Sequence, residues 1–400
     1  MTQDNIQATK EVTFLAKEST FATLPSMKPL IIEAGSWEGE QNKDPLEDLD
    51  ASARLLDTLD MVDGVFVGTA KLKTKVKPYA SQITSTAPVT QPAAMDALEC
   101  VLGGMQVGAG SAISTGTTSQ VTVASDTGFE IGQVVGISGS SDVQLAVVAT
   151  KPGANVVTFW PNVGVAVTSG TLLNGYNAFV TEDNEKSFSV QHAYVDNSAA
   201  QQEYRGCHGK VKIATSINEI VMAEYDVEAA EGQDGALSIS TAVQTNPLAS
   251  GGHAVKNAVV LIQPVGTTTR VHYCVEESEI EYDPGMVFTP CHGATEGKGG
   301  VMRVEGRGKA KWMLTIRFDS DEDTAWSART ARRILYSVPK GSGTSKRHVF
   351  AYAPAAVLAR KPQRINSGGR ILMKLEFNLK IDNTVAANTI AGSPLIVGSL

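Results

Sequence analysis

The chain has 400 residues, enough for two or three domains and a large core, and only 19% of them are charged. A formal net charge of −8 and a pI near 5.4 weigh against a general grip on nucleic acid, which needs clustered lysine and arginine. The four cysteines, at 100, 207, 274 and 291, form no close CxxC pair, the start lacks a basic-then-apolar leader, and no apolar run approaches a membrane span; a soluble, unsecreted protein of a reducing cytoplasm is expected.

The 37 glycines, many beside Ser and Thr, predict an all-β chain with many turns. Residues 1–10 are polar and expected to be mobile or to order only on a partner. Glu11–Ala16 and Leu30–Ala34 read as strands separated by Pro25 and Pro29. Between Glu38 and Asp63 the chain turns strongly acidic, and Leu46, Leu49, Ala53, Leu56 and Leu59 recur at steps of three and four. That spacing predicts one stripe of a surface helix packed on its own domain. Val65–Lys77 alternates again, with Lys71, Lys73, Lys75 and Lys77 on the solvent side of a strand. Those lysines either solvate that face or pair with acids of another copy. Pro92–Leu102 reads as a short helix stopped by Gly103-Gly104.

Residues 105–178 look inserted. Short apolar runs at Ser119–Ala124, Val134–Ser138, Gln144–Thr150, Val156–Trp160 and Gly170–Leu173, set among Gly, Ser and Thr, predict a small β-barrel or sandwich that packs by itself on the outside of a discontinuous core, 1–104 and 179–400.

The segment from Lys186 to Glu231 carries the clearest pattern. Phe188, Val190, His192 and Tyr194 alternate with Ser189, Gln191 and Ala193, predicting a strand with one packed and one solvated face. A polar break at Asp196–Gln202 precedes Tyr204-Arg205-Gly206-Cys207. Then Val211, Ile213, Thr215 and Ile217 oppose Lys210, Lys212, Ala214 and Ser216, and Val221, Ala223, Tyr225 and Val227 oppose Met222, Glu224, Asp226 and Glu228. Short turns between such runs make an antiparallel meander.

Further on, Glu231–Asn257 reads as a connection, and Ala258–Pro264 and Arg270–Glu281 as strands. Trp312, Leu314, Ile316 and Phe318 form an apolar face that ends in Asp319–Asp323, an acidic helix start followed by an expected helix over Thr324–Ser337. Ile371, Met373, Leu375, Phe377, Leu379 and Ile381 give the longest clean β alternation. Thr384–Leu400, small and apolar, is expected to fray or to lie along a neighbouring subunit.

No catalytic set emerges. Cys207-His208 and Cys291-His292, with Cys274, could be imagined as a zinc site, but neighbours on a strand point to opposite faces, so no metal or cofactor is expected. Gly293–Gly299 is one residue short of a phosphate loop and lacks its Ser or Thr; it reads as a turn. Nucleophile elbows and His-Glu-x-x-His helices are absent, so the chain reads as a non-enzyme.

The central block, with its polar and aromatic strand, its loop, the Gly206-Cys207 pair and a further strand, resembles that of siphophage major tail tube proteins. Glu18–Pro25 resembles that family's opening turn, Pro92–Leu98 its short helix, and Glu277–Tyr282 with Gly306-Arg307-Gly308 its late strands. The resemblance covers most of the chain outside 105–178, by order of elements. It implies a mainly β, tail-tube-type sandwich or barrel with a flanking α-helix and the inserted β domain. The implied function is that of a virion structural protein, assembled in the host cytoplasm, whose stacked, hexameric rings conduct DNA at ejection without binding it specifically. Implied partners are further copies of the chain and tape-measure, tail terminator and tail-tip proteins. The resemblance also implies, over 38–63, a long loop that reaches toward the neighbouring ring and orders on contact, where Asp44, Leu46, Leu49, Leu56 and Leu59 would serve stacking between rings.

Two acidic rows, Glu224, Asp226, Glu228 and Glu277, Glu279, Glu281, put like charges on one strand face, which costs repulsion unless hydrated. They either solvate an outer wall or line an acidic bore that repels phosphate. The residues leave open other readings: a β-rich carbohydrate-binding or surface protein, a tail-tip or contractile-tail inner tube protein, or a hydrolase using a carboxylate such as Glu279.

Overall fold

The computed structural model describes residues 11–47, 61–78, 82–88, 90–139, 141–182, 184, 186–194, 197–237, 239, 255, 258–265, 272–288, 302–304, 308–318, 326–381, 385–386 and 388–400, with the backbone alone at 42–47, 61–67, 197–199, 287–288 and 302–304. The protein is mainly β, in large sheets with one small closed barrel. The first strands are β1 (Glu11–Lys17), β2 (Lys28–Leu30), β3 (Glu38–Glu47) and β4 (Met61–Lys75), followed by helix α1 (Ala93–Leu102). Next come β5 (Gly103–Gln106), β6 (Ser111–Gly116), β7 (Gln120–Val123), β8 (Val134–Ser138), β9 (Val143–Gly153), β10 (Val156–Trp160), β11 (Gly170–Leu173) and β12 (Tyr176–Val180). The central and late strands start with β13 (Phe188–Tyr194), β14 (Asn197–Ser216), β15 (Met222–Ala229), β16 (Glu231–Gly235), β17 (Val259–Pro264), β18 (His272–Tyr273) and β19 (Val275–Asp283). They end with β20 (Met286–Phe288), β21 (Met302–Val304), β22 (Lys309–Arg317), β23 (Arg332–Lys340), β24 (Arg347–Leu358), β25 (Gln363–Ser367), β26 (Arg370–Leu379) and β27 (Ile396–Ser399).

Strands β6 to β11 close into a barrel in the order β10, β7, β6, β11, β8, β9. Its interior has its own core of Val121, Phe129, Val135, Val148, Val157 and Leu172. The barrel does more than decorate the surface, because Val134, Val147, Trp160 and Leu173 on its outside pack with Leu335, Phe350, Tyr352, Ile396 and Leu400 of the main body. The C-terminal residues expected to fray or reach a neighbour are therefore bound at home. Strand β27 pairs with β12 and β24, and the backbone of Leu400 exchanges hydrogen bonds with His348.

The meander of the central block is present, and it is organised by one twenty-residue strand, β14. No polar break runs to Gln202; the strand has already begun at Asn197 and pairs back on β13. Along one side of β14, β16 and β15 follow each other, Arg205 facing Glu231 and His208 facing Glu228. On the other side β13 gives way to β19. At the changeover sits Gly206, with φ of +62° and room for no Cβ, since one would stand 2.8 Å from the Ala230 Cβ. A side chain here would meet both left-handed strain and a clash. The same point is tied down by Glu18, a buried carboxylate. It accepts hydrogen bonds from Gly206 N (2.8 Å), Ala22 N (2.8 Å) and the hydroxyls of Ser187 and Ser189 (2.5 Å each). Charge-assisted bonds of this kind are the strong ones.

Helix α1 is buried along its whole length against β1, β2, β5, β12, β13 and β14, so it is a core element rather than a flanking one. A polar helix stripe cannot be buried without partners. Asp96 is met by Lys28 Nζ at 2.5 Å, and Glu99 by Lys17 Nζ (2.9 Å), Lys186 Nζ (2.7 Å) and Gln91 Nε2 (2.8 Å). Burial pushes the Glu99 carboxyl up, but these hydrogen bonds outweigh it and leave it below the usual range, whereas the single lysine on Asp96 leaves that carboxyl raised by burial. The lysine stems cover apolar surface while their heads reach solvent.

Three expectations are corrected here. Of the helix expected over Thr324–Ser337, the described residues are helical only at 326–328, and Arg332–Lys340 is strand β23, because Ile334, Tyr336 and Val338 alternate inward between β17 and β24. The alanine and arginine spacing mimics a helix, but tertiary pairing overrides propensity. Residues 38–47 and 61–63 are the arms of the β3–β4 hairpin rather than a helix or loop. Strand β13 is buried on both faces, Ser189, Gln191 and Ala193 included, since α1 packs on it and a second cluster of Phe14, Met27, Leu237 and Ile239 gathers around Ala193. Lys77 of the lysine strip is likewise buried. Among the described residues, no helix is long and apolar enough to cross a membrane.

Two substitutions test the changeover. Gly206→Ala is expected to cost about 2–4 kcal/mol from left-handed strain plus overpacking. Glu18→Ala, which strands two buried hydroxyls and two amides, is expected to cost about 3–5 kcal/mol. Urea denaturation of each variant measures both, and a loss below about 1 kcal/mol in either contradicts this account of the bend.

Candidate functional site: a sheet face striped by charge

Seven strands lie side by side in the order β3, β4, β15, β14, β19, β22, β26, each antiparallel to the next. Their inner face is core: Leu72, Tyr225, Val211, Ile213, Ile280, Trp312, Leu375 and Phe377 are all buried. Alternation then sends the intervening residues outward. Because directly opposed residues share a face, the register fixes which charges meet.

Over the first six of these strands the outer face is sorted by sign, one strand at a time, whereas β26 carries both Lys374 and Glu376. Strand β3 contributes Glu38 and Glu40, and β4 contributes Lys71, Lys73 and Lys75. Strand β15 follows with Glu224, Asp226 and Glu228, then β14 with Lys210 and Lys212. Strand β19 adds Glu277, Glu279, Glu281 and Asp283, and β22 adds Lys309 and Lys311. In register, Glu38 faces Lys71, Lys71 faces Asp226, Lys73 faces Glu224, Lys212 faces both Glu224 and Glu281, and Glu281 faces Lys311. Direct pairs include Lys212–Glu279 at 2.8 Å, Lys210–Asp283 at 3.3 Å and Lys73–Glu224 at 3.7 Å. The hydrogen bond that Lys212 donates to Glu279 holds its ammonium above the usual lysine value, while burial pushes the Glu228 carboxyl up.

Both acidic rows named from the sequence thus lie on one face, brought together across β14. They do not make an acidic wall. The lysine strip of β4 pairs with acids of the same chain, and the lysines of β14 and β22 complete the stripes, which relieves the repulsion that a single acidic strand would carry. Sequence reasoning places Lys210 and Lys212 opposite the apolar residues of their strand, but the cross-strand register that sets them between two acidic rows is a long-range property. Each exposed pair contributes about 0.2–1 kcal/mol at most, so the face is no major source of stability.

The other candidates scatter. Asp44 and Leu46 belong to the backbone of β3, Leu46 opposite Val62, whereas Leu49, Leu56 and Leu59 fall outside the described residues. Cys207 and His208 are buried side by side on β14, and burial lowers the His208 imidazole to about 4. Cys274 is exposed, and Cys291, His292 and Gly293–Gly299 lie outside the described residues. Among the described residues, no three His, Cys, Asp or Glu converge as a metal site would require. No protein-family model matches the chain, and no curated protein matches it significantly.

Reversing one charge tests the stripes. Lys212→Glu sets a carboxylate among Glu224, Glu279 and Glu281 and is expected to lower stability by about 1 kcal/mol in low salt, with the loss fading in 1 M salt as screening shortens to about 3 Å. Equal losses at both ionic strengths, read from urea midpoints, would show that Lys212 acts through packing instead.

Proposed function

We propose that the chain is a structural subunit of a phage tail tube, a siphovirus-type virion protein that assembles into stacked, six-fold rings around a DNA conduit, with the striped face turned to the bore. The observation that carries this reading is the alternation of charge sign, strand by strand, over a broad open face with its core on one side only. Like stripes recur every second strand, a period of roughly 10 Å. Opposed rows so closely spaced cancel within a short distance, so a duplex sliding past meets neither a basic surface to hold it nor a strongly repelling wall. Phosphate contacts that release counterions need unopposed lysines, and here every lysine row is flanked by carboxylates. The resemblance of the central block to tail tube proteins supports the same reading, under which the partners would be a tape-measure protein, a tail terminator and a tail tip.

The expected outcome is visible directly. Negative-stain electron microscopy of the concentrated protein, with light scattering on the same sample, should give rings or stacked tubes with a central hole, and the assembled protein should not retard duplex DNA at physiological salt. A stable monomer at every concentration, or one that binds glycans, would overturn the proposal in favour of a β-rich binding module.

A further inference from the structure

A cleft of about 410 Å³ opens where the start of β3 meets β13, β14 and β16. Trp37, Glu38, Tyr194, Gln201 and Asp234 line it. The aromatic floor is fixed. Trp37 stacks on His192 with ring centroids 4.7 Å apart, Tyr194 meets the same imidazole edge-on at 4.9 Å, and the Trp37 indole N–H donates to Gln202 Oε1 at 2.5 Å. Gln201 is buried to 3% exposure with its Oε1 unpartnered. Among the described residues, no lysine or arginine lines the cleft. Two carboxylates beside aromatic rings are a set of acceptors, which fits a group that brings donors and positive charge.

Such a group stands at the far side of the same sheet. The β25–β26 hairpin is exposed on both faces from Gln363 to Ile371, turning through Gly368 (φ +58°) and Gly369 (φ +78°). Isolated two-stranded ribbons gain little from their own burial, and an uncovered edge strand is a liability. This one also presents Ile371 at 58% exposure. At its tip Arg370 keeps 66% of its side chain exposed, with Glu276 as an ion partner only at 3.8 Å. Seven strand steps, roughly 30 Å along the sheet, separate β25 from β3, so the hairpin does not serve the cleft of its own chain.

We infer that the Gly368-Gly369-Arg370 tip of one copy seats in the Trp37–Asp234 cleft of a second copy, its guanidinium between the Glu38 and Asp234 carboxylates. Because tip and cleft occupy opposite ends of one sheet, the contact is head-to-tail, and repetition either closes a ring or runs on as a filament. The inference rests on the reading that copies associate and names the contact that joins them.

Sedimentation velocity of the full chain tests it with a charge swap. Arg370→Glu and Asp234→Arg should each weaken association at least tenfold while leaving the melting temperature unchanged, and the double variant should recover most of the loss. Singles that associate like the parent, or a double variant no better than the singles, would overturn the contact. Parent rings indifferent to the swaps would leave the tube reading standing and remove this contact, whereas open chains that obey the swaps would keep the contact and remove the tube. A parent monomeric at every concentration, or a neutral oligosaccharide that quenches Trp37 in a monomer, removes the contact as well.

Discussion

The handover at Gly206, held by the buried carboxylate of Glu18, is the constraint on which the other features depend. Strand β14 must leave β13 and join β19 without losing its ladder on the other side, and only a residue without Cβ makes that bend against Ala230. Glu18 gathers the end of β1, the entry to β13 and the bend itself into one set of hydrogen bonds. Were the bend to slip by one residue, Val211 and Ile213 would turn outward and Lys210 and Lys212 inward, because the side-chain period is two. The striped face exists because that register is fixed.

Beneath the sheet, the buried helix α1 imposes a second requirement. Its Asp96 and Glu99 lie among Leu15, Phe188, Tyr225 and Trp312 of the core, and three lysines from β1, β2 and the approach to β13 neutralise them. Partnering of this kind is weak as a source of stability and strong as a source of specificity, because removing either side leaves a buried charge. It fixes which way round the helix sits against the first two strands, and so where β3 and the Trp37 cleft begin.

Much of this was legible in the sequence. The strands of the central block and the inward row of β26 follow from alternation, since period-two burial leaves a local mark; the short helix follows from its Pro start and Gly stop, and the barrel from short apolar runs among Gly, Ser and Thr. What was hidden is long-range. Ser189 and Gln191 look solvent-facing until both sides of β13 are covered. The alanines and arginines before β23 look helical until β17 and β24 claim the segment. The acidic rows could be read as a wall because nothing local to Glu224 or Glu279 announces that Lys212 stands between them. Trp37, Tyr194 and Asp234 likewise meet only through the fold, with no spacing to mark them.

Charge sorting by strand gives the face its meaning: it is an exposed surface with no apolar row and no unopposed basic row, built on a sheet with two ends to join. Its placement inside an assembly is the central claim, and size-selective labelling tests it most directly. With Cys274 and Cys291 replaced by serine, Glu279→Cys on the striped face and Val165→Cys on the barrel, where Val165 is 70% exposed, are each treated with a small maleimide and with one coupled to a bulky protein. The account predicts that in the assembled protein Cys at 279 reacts only with the small reagent while Cys at 165 reacts with both. Equal labelling of both positions by the bulky reagent would place the striped face on the outside and contradict it.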